Sequence, residues 1–63
     1  MAYNIKEVRM QKGMTQEELS IKANVSRAIV SKLENEDNMV TSTETLKKIA
    51  NALDVRVSDI FLD

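Results

Sequence analysis

The chain has no cysteine, no histidine and no proline, and a single glycine among 63 residues. Without cysteine there is no disulfide framework, no thiolate metal site and no cysteine nucleophile. Without histidine the commonest general base and the commonest metal ligand are missing. The scarcity of proline and glycine argues against a turn-rich β domain and for helices joined by short connections. No aliphatic or aromatic run exceeds three residues, too short for a membrane span. Residues 1–10 lack the apolar stretch of a secretory signal. Carboxylate neighbours such as Glu17 and Glu18, or Glu36 and Asp37, make no catalytic or metal pair here, because so short a chain is not expected to enclose a cleft. The expectation is a single domain, residues 1–63, that is cytoplasmic and not an enzyme. It has no cofactor, no metal, no membrane partner and no small-molecule effector site. A core this small must rely on good helix packing or on self-association.

Charge is scarce in net terms and uneven in its placement. The formal net charge is −1. Residues 1–33 carry six Lys and Arg against three Glu, whereas residues 34–63 carry three against seven carboxylates. A basic half joined to an acidic half suggests one face meant for an anion.

Helix punctuation is legible along the whole chain. Asn4 stands where it can cap a first helix, with Ile5 and Val8, and the stems of Arg9 and Lys12, on one side. Gly13 follows that helix at the position where a left-handed residue commonly ends it. Thr15 and Glu18 form a T-x-x-E capping box, and Met14 with Leu19 has the hydrophobic-staple spacing. A second helix then runs to about Ala23 with Leu19, Ser20 and Ala23 inward. Asn24 marks a sharp turn, because Asn tolerates the left-handed region better than most residues. Ser26 caps a third helix through about Asn35, with Val30 and Leu33 inward. Either Thr41 or Ser42 caps a fourth helix, whose Leu46, Ile49, Ala50 and Leu53 follow i, i+3, i+4, i+7 spacing. Residues 57–62 make a short fifth helix, capped by Arg56 or Ser58. The expected fold is all-α: five helices, with the second and third joined by about three residues as a helix-turn-helix.

Such a pair suits duplex DNA. Its second helix fits the major groove while the first crosses the backbone, and both N-termini offer N–H groups to phosphate. Thr15, Gln16 and Ser26 occupy those termini. Arg27, Ala28, Ser31 and Lys32 are the outward positions of the third helix. Arg and Lys are the usual readers of guanine, and Ala can meet a thymine methyl.

The stretch from Met14 through T-Q-E-E-L and S-K-L-E-N to Asn35 resembles the helix-turn-helix of the Cro/CI-type family, which includes lambdoid phage repressors and many small bacterial regulators. Residues 43–55 are similar to that family's fourth helix and residues 58–61 to its fifth. The resemblance implies a bacterial or phage-encoded, nucleoid-associated regulator that binds a pseudo-palindromic operator as a homodimer. It implies that Gln16 bonds a phosphate and braces the first recognition residue. Arg27, Ala28 and Lys32 would read bases, Ser26 and Ser31 would touch phosphate or base edges, and Asn35 would meet phosphate. It places the dimer surface near the connection between the fourth and fifth helices, with Val55, Arg56, Val57 and Phe61 as candidates; the three apolar ones could equally be core. Three departures stand out. Asn24 and Asp54 replace glycines usual after the second and fourth helices. The loop after the third helix, residues 34–38, carries three carboxylates that would repel a phosphate backbone. That loop and the low pI support the alternative of an interaction module, anti-repressor or antitoxin-like, that keeps the fold without the DNA.

Overall fold

The computed structural model describes residues 3–35 and 41–61. Five helices follow one another: α1 (Ile5–Gln11), α2 (Gln16–Ala23), α3 (Arg27–Asn35), α4 (Thr43–Leu53) and α5 (Val57–Ile60). Helix α2 packs against both α3 and α4, α1 lies on α3, and α5 folds back on α4. The core forms where these faces meet, and Ile5, Leu19, Val30, Ile49, Leu53 and Ile60 are its fully enclosed side chains. Among the described residues no helix is long and apolar enough to cross a membrane.

Three helices end by the same device. After α1, α2 and α4 stands one residue at positive φ: Gly13 at 69°, Asn24 at 58° and Asp54 at 59°. The next residue's N–H then reaches five residues back, Met14 to the Arg9 carbonyl, Val25 to Ser20 and Val55 to Ala50, at 3.0–3.1 Å. Met14, Val25 and Val55 each tuck against the core. This is the Schellman ending, in which a left-handed residue and a following apolar contact satisfy the orphan carbonyls. Asn24 and Asp54 therefore do the work of the glycines that the resemblance led us to expect. At Gly13 a Cβ would meet nothing within 4 Å, so φ alone asks for glycine there.

The helix starts confirm and correct the sequence reading. The Thr15–Glu18 box is complete, with Thr15 Oγ1 accepting from the Glu18 N–H at 3.0 Å and Glu18 Oε1 accepting from the Thr15 N–H at 2.9 Å. Ser42 rather than Thr41 caps α4, its Oγ accepting from the Thr45 N–H. Arg56 precedes α5, and the cap bond there runs from its backbone N–H to Asp59 Oδ2. Asn4 makes no side-chain cap bond to α1. Its backbone is committed elsewhere, because the Asn4 N–H donates to the Ile60 carbonyl at 2.7 Å. That bond belongs to a short antiparallel bridge pairing Tyr3 with Phe61, whose rings stand 5.9 Å apart.

Candidate nucleic-acid interface

Helix α3 is two-sided. Val30 and Leu33 are buried, and Ile29 lies half-buried beside them against the core. Arg27, Ala28, Lys32 and Asn35 are exposed and Ser31 is half-buried. At 100° per residue these five fall within an arc of about 140°, one continuous outward stripe. Asn35 Nδ2 donates to Ser31 Oγ at 3.2 Å along that stripe. Among the described residues neither Arg27 nor Lys32 has an ion-pair partner.

The two cap hydroxyls are half used. Thr15 Oγ1 accepts from Glu18, and Ser26 Oγ accepts from the Ile29 N–H at 3.2 Å. A hydroxyl also carries one donor, which capping does not consume. Both caps are exposed, so each can donate outward to an anion while holding its helix end.

A charged knot lies beneath this surface, where the end of α1, the start of α2 and the end of α3 meet. Arg9 grips Glu34 through two bonds, Nε to Oε2 at 2.8 Å and Nη2 to Oε1 at 3.1 Å. Its remaining nitrogen, Nη1, donates to the Met14 carbonyl at 2.6 Å. Gln16 Nε2 donates to the same Glu34 Oε1 at 3.1 Å. The Glu34 side chain is wholly enclosed and that of Arg9 is 11% exposed. Hydrogen bonding from Glu34 outweighs the opposing effect of burial and holds the Arg9 guanidinium above its ordinary pKa, so it stays charged.

This corrects the reading of residues 34–38 as one acidic loop. Glu34 and Asn35 form the last turn of α3, and the Glu34 charge is neutralised inside the protein by an arginine 25 residues away. Glu36, Asp37 and Asn38 lie outside the described residues. The sequence reading credited Arg9 only with an apolar stem and missed its pairing with Glu34. One signal was present: Glu34 follows Val30 by four positions and Leu33 by one, which places a carboxylate at the margin of the buried face, where it needs a cation or a donor.

The dimer candidates sit at the other end. Val55 and Val57 are half-buried against the core, Arg56 is exposed, and Phe61 is 46% exposed beside Tyr3. Val55 is also the apolar contact that closes the end of α4.

The helix-turn-helix family model matches residues 5–60. Among solved structures the chain is similar to the restriction-modification controller protein C.AhdI from Aeromonas hydrophila, at 31% identity and a TM-score of 0.79 over 87% of this chain and 82% of that one. A mutant of the controller protein C.Esp1396I gives 38% identity and a TM-score of 0.74 over 82% and 68%. The N-terminal DNA-binding domain of the biofilm regulator SinR from Bacillus subtilis gives 35% and 0.75 over 86% and 78%. Curated proteins yield no match. A family match that runs from the first residue of α1 to the last of α5, together with the exposed stripe on α3, establishes that this chain belongs to the helix-turn-helix family and is a DNA-binding transcription regulator.

Proposed function

We propose that the chain is a sequence-specific repressor whose residues 1–63 act as one domain in the cytoplasm, where it binds a pseudo-palindromic operator as a homodimer. Helix α3 enters the major groove, with Arg27, Ala28, Ser31 and Lys32 toward base edges. Thr15, Gln16, Ser26 and Asn35 meet phosphates and set the register. Val55, Arg56, Val57 and Phe61 contribute to the surface between protomers, where the exposed part of the Phe61 ring offers self-complementary apolar contact. Two recognition helices then address half-sites about 34 Å apart on one face of the duplex. Occupancy alone blocks the polymerase, with no cofactor and no small-molecule effector.

The observation that carries this reading is the stripe on α3. Two unpaired cations and three small or polar side chains share one exposed side, and the opposite side is spent on the core. The enclosure of Glu34 supports it further, since one carboxylate that would have opposed phosphate is neutralised.

Selection from a random duplex library at two salt concentrations tests it. The expected result is an inverted repeat whose binding weakens steeply as salt rises. Recovery of no common sequence by a folded protein at low salt would overturn the reading and favour a protein partner. A recovered single half-site would remove the homodimer alone.

A further inference from the structure

The knot at Arg9 and Glu34 does more than close a helix corner, and this inference rests on the DNA-binding reading above. A carboxylate accepts hydrogen bonds and donates none, so Glu34 can take only the N–H end of the Gln16 amide. The contact from Gln16 Nε2 to Glu34 Oε1 at 3.1 Å therefore fixes which way that amide points. Glu34 is itself held in place, because Arg9 binds both of its oxygens and is anchored in turn to the Met14 carbonyl. The Gln16 carbonyl oxygen has no partner among the described residues, and one N–H of its amide is left over. Gln16 lines an open cleft together with Thr15 and Arg27. Arg27 offers only donors, so a neighbouring group that helps to aim it must be an acceptor.

We infer that Glu34 is a positioning residue for DNA recognition: it orients the Gln16 amide so that the carbonyl oxygen serves as the acceptor that aims the Arg27 guanidinium at its base. The remaining Gln16 N–H is then free for a phosphate. An amide turned the other way would set its carbonyl against the Glu34 carboxylate and its donors toward Arg27. The ordered amide removes one rotational freedom before DNA arrives, which is the general advantage of a preorganised contact. The acidic residue thus assists binding to a polyanion that it never touches.

Two measurements on the full chain test this. In the free protein the side-chain amide resonances of Gln16 should be shifted and protected from exchange, and Glu34→Gln should return them to free-amide behaviour. On the selected operator, Glu34→Gln should cut the ratio of specific to nonspecific affinity about tenfold, the order expected for one charge-assisted hydrogen bond. In a Gln16→Ala background the same change should cut that ratio no further. An equal cut in both backgrounds, with the Gln16 resonances unmoved, would overturn the inference. If Glu34→Gln does not fold, Gln16→Lys gives the answer. It keeps a donor for Glu34 and removes the acceptor, so base preference opposite Arg27 should relax while nonspecific affinity holds or rises; an unchanged preference would overturn the inference. Failure of the wild-type chain to select any sequence would overturn the proposed function, and the inference with it, while the amide resonances would still report whether Glu34 holds Gln16.

Discussion

Where α1, α2 and α3 meet, the molecule is joined by an enclosed carboxylate, a guanidinium and an amide. Where α4 meets α5, it is joined by Ile49, Leu53 and Ile60, with ion pairs only on the surface. The two joints ask for different precision. Apolar contacts are non-directional and tolerate small shifts, whereas a bidentate pair is satisfied in one geometry. The stricter joint stands beneath the surface that has to match a duplex, and the more permissive one lies beside the candidate dimer surface.

Breaking the polar joint should have the largest effect. Arg9→Met leaves Glu34 enclosed without its counter-charge and should cost about 3–5 kcal/mol in urea unfolding. Arg9→Met combined with Glu34→Leu should recover most of that loss, since what hurts is the orphaned charge rather than the absence of a pair. A double variant as unstable as the single one would show that packing at this corner depends on the ion pair itself. The apolar joint should yield somewhat less, with Leu53→Ala costing about 3 kcal/mol through lost burial and a residual cavity, read by the same titration.

The surface above the polar joint should respond oppositely. Arg27→Ala with Lys32→Ala should lower operator affinity by about 2–4 kcal/mol, as expected for two lost base contacts. The unfolding midpoint should barely move, because both side chains are exposed and lack ion-pair partners among the described residues. A large loss of stability would place these residues in the fold rather than at the interface. The smallest effect should come from the surface pairs at the other end. Lys48→Ala removes a contact of 3.9 Å to Glu44, both side chains being well exposed, and should change stability by less than about 0.5 kcal/mol. A clear loss would mean that the α4–α5 end also depends on charge.

The parts of the fold legible in the sequence are those set by neighbours in the chain. The Thr15–Glu18 box, Gly13 and Asn24 at the helix ends, and the spacing of Leu46, Ile49, Ala50 and Leu53 each depend on a few consecutive positions. All appear as read. Asn4 was misread because a bond to Ile60 overrides its local preference. Glu34 was misread for the same kind of reason. Beside Asn35, Glu36 and Asp37 it looks like one member of an acidic loop, and its partner is 25 positions away. Ile21, at 73% exposure, fits no inward pattern on α2, and nothing in the structure explains it. The stripe on α3 was legible because helical spacing alone puts Arg27, Ala28, Ser31 and Lys32 on one side. The knot that aims Gln16 was not, since it assembles three helices.

The pairing of Tyr3 with Phe61 joins residues 61 − 3 = 58 positions apart. Closing so long a loop carries an entropic cost that grows with its length and is offset only once other contacts have drawn the ends together. Most of the remaining helix contacts join near neighbours in the chain, which favours fast folding, so this bridge should be among the last to form. The sequence holds one tyrosine and no tryptophan. The intrinsic emission of this protein is therefore a clock for its final folding step, with no label needed to read it.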